Sequence, residues 1–170
     1  MIKNVVLIGF MGVGKTSSGK MIANQLGFKF IDMDKAIEEK WGMTIPQMFE
    51  QHGEAFFREK EKEMCREVAK RKSVVISTGG GTVKDPENVA VLKRSGRIVC
   101  LMASVDAILE RTAATGQRPL LDAYKDRRQG IVELLEQRKE MYSQADYTVD
   151  TTDMSPLQVS RDVIAFMKRR

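Results

Sequence analysis

The run Gly9-Phe10-Met11-Gly12-Val13-Gly14-Lys15-Thr16 restricts this chain more than any other stretch. Its spacing is G-x-x-x-x-G-K-S/T, a phosphate-binding loop that needs a strand before it and a helix after it. Both flanks are present: the apolar run 5–8 precedes it and a helix-like segment, 16–26, follows. Glycines let the backbone wrap an anion without Cβ clashes. Successive N–H groups and the helix N-terminus then face phosphate oxygens. In such a loop Lys15 reaches the β- and γ-phosphates, and the Thr16 hydroxyl ligates Mg²⁺.

The rest of the chain continues strand, loop, helix. Short β-rich runs fall at 5–8, 29–31, 74–77, 97–101 and 147–149. Helical stretches fall at 16–26, 34–41, 45–51, 54–71, 86–94, 105–113, 126–144 and 156–168. The expected fold class is α/β, a parallel sheet covered by helices on both faces. Its strands are short and apolar, as strands buried on both faces must be. A length of 170 residues fits one domain, and 42 % hydrophobic residues fill an ordinary core. No apolar run approaches the ~20 residues of a membrane span, and 5–8 is too short for a signal-peptide core. A cytoplasmic protein is expected. Cys65 and Cys100 have no metal-site spacing and read as reduced core thiols. A net charge of +5 suits either nucleic acid or an anionic small molecule. No strip of interleaved aromatic and basic residues favours the former.

In parallel sheets ligands bind beyond the strand C-terminal ends, and each of those loops carries chemistry. Asp32 and Asp34 flank one residue at the end of the second strand, where alternation would turn both to one side. They suit a Mg²⁺ shell or acceptance of a proton from a hydroxyl, although either also suits a helix N-cap. Arg58 and Glu61 share a helix face; Arg58 suits bidentate grip of a carboxylate, and an exposed ion pair is the alternative. Gly79-Gly80-Gly81 suggests close approach of backbone to a ligand, or a tight turn. Ser77 ends the third strand, where its hydroxyl could hold a metal-bound water. Arg138 interrupts the apolar stripe Ile131, Leu134, Leu135, Tyr142, and an inward arginine needs an anion; an arginine snorkelling from the stripe's edge is the alternative. The polar segment 112–125 fits a lid, with Arg118 as a cation for the transferring phosphoryl. Trp41, Phe49, Phe56 and Phe57 are core or pocket wall. His52 reads as a helix C-terminal residue without chemistry.

Taken as an ordered set, these residues resemble the shikimate kinase family over essentially the whole chain. The marks are Gly9 to Thr16, Asp32-x-Asp34, Phe57-Arg58-x-x-Glu61, Gly79-Gly80-Gly81, Arg118-Pro119-Leu120-Leu121, and Arg138 with Tyr142. The resemblance implies a nucleoside-monophosphate-kinase-like three-layer sandwich with a five-stranded parallel sheet. It implies one domain over 1–170, with a shikimate-binding region at about 33–61 and a mobile lid at about 112–124. The reaction implied is MgATP plus shikimate giving shikimate 3-phosphate and ADP. Gly12, Val13, Gly14, Lys15, Thr16 and Ser17 would hold the ATP phosphates, with one Mg²⁺ on Thr16 and its water shell oriented by Asp32. Arg111, Met154 and Pro156 would meet adenine. Asp34 would bind the shikimate hydroxyls and serve as base. Arg58 and Arg138 would grip the carboxylate, with Glu61 holding Arg58. Gly79, Gly80 and Gly81 would line the acceptor site through backbone, and Phe49, Phe57, Pro119 and Leu120 would pack on the ring. Lys15, Asp34 and Arg118 would be the catalytic groups. A monomer with no nucleic-acid or membrane partner is expected. Some family members carry an arginine before the adenine-loop proline; here Met154-Ser155 precede Pro156. The competing readings are a gluconate or nucleotide kinase on the same scaffold, and a nucleic-acid-binding P-loop ATPase.

Overall fold

Apolar strand runs without alternation must be covered on both faces, which dictates the layering. The computed structural model describes residues 1–113, 121 and 123–170. Among them the strands are β1 (Asn4–Gly9), β2 (Lys29–Asp32), β3 (Val74–Ser77), β4 (Gly96–Met102) and β5 (Tyr147–Asp150). They form one sheet in the order β2-β3-β1-β4-β5, and every pairing is parallel. The register sets Leu7 beside Ser77 and Val99, and Asp32 beside Ser77. In central β1, Val5, Val6 and Leu7 are fully buried. That burial on both sides is why the run is continuously apolar.

The helices are α1 (Lys15–Leu26), α2 (Met33–Trp41), α3 (Ile45–His52), α4 (Glu54–Ala69), α5 (Pro86–Ser95), α6 (Val105–Ala113), α7 (Arg127–Tyr142) and α8 (Pro156–Met167). Right-handed crossovers put α1 on one face and α4 and α5 on the other. The packing agrees: α1 lies against α8, α4 against α5, and α6 against α7. The chain therefore leaves β1 and β3 toward opposite faces, and a crevice opens between their C-terminal ends.

Helix ends follow local chemistry. Thr44 and Ser155 form capping boxes with Gln47 and Gln158 ahead of α3 and α8, each with a proline in the first turn. Gly27 and Gly42 close α1 and α2 in left-handed conformation. Two expected boundaries move for identifiable reasons. Helix α4 stops at Ala69 rather than 71, because Lys70 caps it and Ser73 turns the chain into β3 with φ 57°. Asp126 stands outside α7 as its cap, accepting hydrogen bonds from the N–H groups of Arg128 and Gln129.

Candidate active site

The phosphate loop begins where β1 runs out of room. Gly9 has φ 147°, and a Cβ there would lie 2.3 Å from the Leu101 carbonyl oxygen. Gly12 (φ 78°) and Gly14 (φ 90°) turn the chain into α1. No side chain caps that helix and no acid stands in its first turn. Its leading N–H groups and positive dipole end are thus open to an anion. Lys15 folds over the loop, donating to the carbonyl oxygens of Gly9 (2.5 Å) and Phe10 (3.2 Å). Burial, aided by the Arg138 charge, lowers its pKa from 10.5 to about 8. An anion in the loop opposes that shift.

Asp32 is the last residue of β2 and α2 begins at Met33. Strand alternation therefore does not relate Asp32 to Asp34, contrary to expectation; a strand-to-helix turn delivers both to one cleft. Asp32 serves as a cap as well, with Oδ1 accepting from the N–H groups of Asp34 (3.1 Å) and Lys35 (3.3 Å). Asp34 Oδ1 is buried without a hydrogen-bond partner among the described residues. Burial first, then the charges of Asp32 and Glu61, raise the Asp34 pKa from 3.8 to about 6, against the pull of Lys15.

The triple glycine after β3 meets a different charged group at each position. A Cβ on Gly79 would lie 2.6 Å from Asp34 Oδ1. On Gly80 it would touch the Arg138 guanidinium at 3.5 Å, and on Gly81 it would collide with Arg58 Nη1 at 2.7 Å. Gly81 has φ −117°, so close approach and not a left-handed turn calls for glycine there. One backbone loop gathers a carboxylate and two guanidinium groups.

Each arginine has its own support. Arg58 donates to Glu61 at 3.0 Å and pairs with Glu54 at 3.5 Å. Glu61 is only 2 % exposed, so this is no solvated surface pair. The Thr82 hydroxyl donates to the second Glu61 oxygen at 3.0 Å and accepts from the Gly79 N–H at 3.1 Å. Arg138 is half-buried and lines the cleft. Its guanidinium carbon lies 5.3 Å from the Phe10 ring centre, and it donates to the Tyr142 hydroxyl at 3.5 Å. Phe49 and Phe57 pack at 5.2 Å, Phe57 buried and Phe49 open. Arg58 lies over Phe57. Lys60 lies over the Trp41 ring, and the His52 and Phe56 rings meet tilted at 4.4 Å; like Phe49, Phe57, Arg58, Glu61 and Gly81, they stand outside the cleft lining.

On the far side, Arg111 donates to the carbonyl oxygens of Gly12 (3.3 Å), Thr151 (3.0 Å) and Thr152 (3.3 Å). Buried Thr151 donates to the Met102 carbonyl at 2.9 Å and lies 3.3 Å from the Val13 carbonyl. Together they brace the phosphate loop against the β5–α8 connection, whose Met154 and Pro156 line the cleft. Thr82 and Thr151 escaped sequence reasoning. Only the position of Thr82 beside three glycines, and of Thr151 at a strand end, could have pointed to them. Arg118, Pro119 and Leu120 lie outside the described residues, as does most of the expected lid.

The cleft encloses about 840 Å³, within the range of small-molecule sites. Its lining joins the phosphate loop to Asp34, Gly79, Gly80 and Arg138. Thr16, Asp32 and Asp34 supply only oxygen donors. Such a set fits Mg²⁺, which keeps most of its shell from phosphate and water. A carboxylate and a guanidinium in one cleft with a phosphate-binding loop suit phosphoryl transfer to a hydroxylated acid.

Comparison with known proteins agrees with this chemistry. The family model described as Shikimate kinase matches residues 11–168. Shikimate kinase of Thermodesulfovibrio yellowstonii is 45 % identical over 168 residues, 99 % of this chain and 96 % of that protein. Shikimate kinase of Caldanaerobacter subterraneus is also 45 % identical, over 98 % of both. The structure of shikimate kinase from Acinetobacter baumannii in complex with shikimate superposes with a TM-score of 0.88 at 36 % identity, covering 98 % of this chain and 93 % of that one.

Proposed function

This chain belongs to the shikimate kinase family, and from that membership we infer how its residues divide the work. It is an ATP-dependent kinase that transfers the γ-phosphoryl group to the 3-hydroxyl of shikimate, giving shikimate 3-phosphate and ADP for aromatic amino-acid biosynthesis. The observation that carries the assignment of roles is the triple glycine, pressed against Asp34, Arg138 and Arg58 in turn. A cyclic polyol acid is complementary to that set: its carboxylate takes the two guanidinium groups and a hydroxyl takes Asp34.

Gly12 to Ser17 hold the triphosphate, and Lys15 neutralises charge on the β- and γ-phosphates. Arg111, Met154 and Pro156 flank the adenine. Arg58 and Arg138 fix the acceptor carboxylate, Glu61 holds Arg58, and Phe49 and Phe57 pack on the ring. Asp34 aligns the 3-hydroxyl and receives its proton as that oxygen bonds to the γ-phosphorus. The bond from phosphorus to the bridging oxygen breaks, and ADP leaves with the electron pair. Most of the rate comes from positioning and fixed charge. Mg²⁺ would be held by Thr16 and by the water shell on Asp32; when bound it neutralises the phosphate oxygens. Arg118 adds charge from a lid at about 112–124, and Pro119 and Leu120 close on the ring. The shikimate-binding region is about 33–61 of a single kinase domain. A monomer is the reading adopted. No described helix is long and apolar enough to cross a membrane, and a cytoplasmic location is the reading adopted.

Arg58→Ala tests the clamp. Losing a charge-assisted contact should raise the shikimate KM about ten- to a hundredfold, with the ATP KM nearly unmoved. An unchanged shikimate KM would remove Arg58 from the acceptor site.

A further inference from the structure

The Thr82 hydroxyl joins two parts of the acceptor site that the sequence keeps 18 residues apart, Glu61 on α4 and the loop at Gly79. Thr82 is fully buried, so water cannot replace what it does. One hydroxyl has one proton to give. That proton goes to Glu61 Oε2, and the oxygen takes the Gly79 N–H. The other Glu61 oxygen holds Arg58. Gly79 is the glycine pressed against Asp34. The Asn88 amide fixes Thr82 in turn, donating to its carbonyl oxygen at 2.9 Å.

We propose that Thr82 is a positioning residue for the acceptor, setting Arg58 through Glu61 and the Asp34 side of the cleft through Gly79. The proposal rests on the shikimate-kinase reading above. Removing the hydroxyl leaves a buried carboxylate oxygen and a backbone N–H without their partner, so both must relax. Arg58 then loses its fixed counter-ion, and the glycine loop is free to drift from Asp34. The phosphate loop is held by other contacts, through Thr151 and Arg111, and is untouched.

The test compares Thr82→Val, close in shape but without the hydroxyl, with Thr82→Ser, which keeps it. Thr82→Val should raise the shikimate KM about five- to tenfold, the scale of one buried hydrogen bond, with the ATP KM within twofold of wild type. Thr82→Ser should return the shikimate KM to near the wild-type value. Should Thr82→Val not fold, Thr82→Ala gives the same readout with less crowding. An unchanged shikimate KM overturns the proposal. So do equal rises in both KM values, or failure of serine to rescue, because these mark a general packing role. Wild-type protein in the same assay separates the two levels of inference. If it fails to phosphorylate shikimate, the functional reading fails; if it does so and Thr82→Val matches it, only the role of Thr82 fails.

Discussion

The surroundings of Asp34 suit it to the proton-accepting role proposed for it. The side chain lies beside two other carboxylates, under a glycine that admits no Cβ, with one oxygen lacking a partner among the described residues. Burial and those charges raise its pKa from 3.8 to about 6, toward the working range of a general base. Only the ionised form can accept the hydroxyl proton. As pH falls through about 6, kcat/KM for shikimate should therefore fall along an acid limb. Asp34→Asn should abolish that limb and lower turnover by roughly 10²- to 10⁴-fold, while ATP binding measured by titration persists. Near-normal turnover in the variant would show that Asp34 neither takes the proton nor aligns the hydroxyl. Thr82 carries a complementary lesson. The role proposed for it depends on partners 3 and 21 positions away, and only its place beside the three glycines hints at it in the sequence.

At the scale of elements, helix termini do much of the placing. The uncapped start of α1 faces the phosphate cradle, whereas the start of α8 is fastened by the Ser155–Gln158 box beside Met154 and Pro156. Ser155→Ala should cost about 1 kcal/mol of stability, read as a lower urea midpoint at constant slope. It should also raise the ATP KM modestly and leave that for shikimate alone. No shift in midpoint would mean that the box is redundant. The elements themselves were largely legible, because the central strand runs are apolar and short and each helix has its glycine, proline or acid at the expected end; the edge strands β2 and β5 are partly exposed, so the expected burial on both faces holds only for the inner strands. The phosphate loop was legible because its function fixes residue types at fixed spacing. The Asp32–Asp34 pair was found for a reason that the structure replaces: α2 starts one residue after Asp32, so a turn and not a pleat aligns them. The depth of Glu61 was hidden, since an i,i+3 pair reads alike on a solvated or a covered face. Arg111 could be found only through resemblance, because its hold on Thr151 spans 40 positions.

At the scale of the whole molecule, the cleft trades stability for chemistry. An unfolded chain lets Asp34 ionise near 3.8, whereas the folded chain resists until about 6. Below the lower value the group is protonated in both states and costs nothing. As pH rises from about 3.8 to about 6 the unfolded chain ionises the group first, so the fold loses up to about 3 kcal/mol, and above the upper value that loss is constant. Asp34→Asn should therefore be more stable than wild type at pH 7.5, with the gap closing toward pH 4, by urea denaturation at both values. A gap independent of pH would mean that the carboxylate is not held against its charge. The central claim is that one cleft joins a triphosphate cradle to a site for a hydroxylated carboxylic acid, and that shikimate is that acid. The most direct measurement is ADP release from MgATP with shikimate, with gluconate, with AMP and with no acceptor. Release that depends on shikimate alone is the predicted result. Equal release with gluconate or AMP, or none with shikimate, would contradict it.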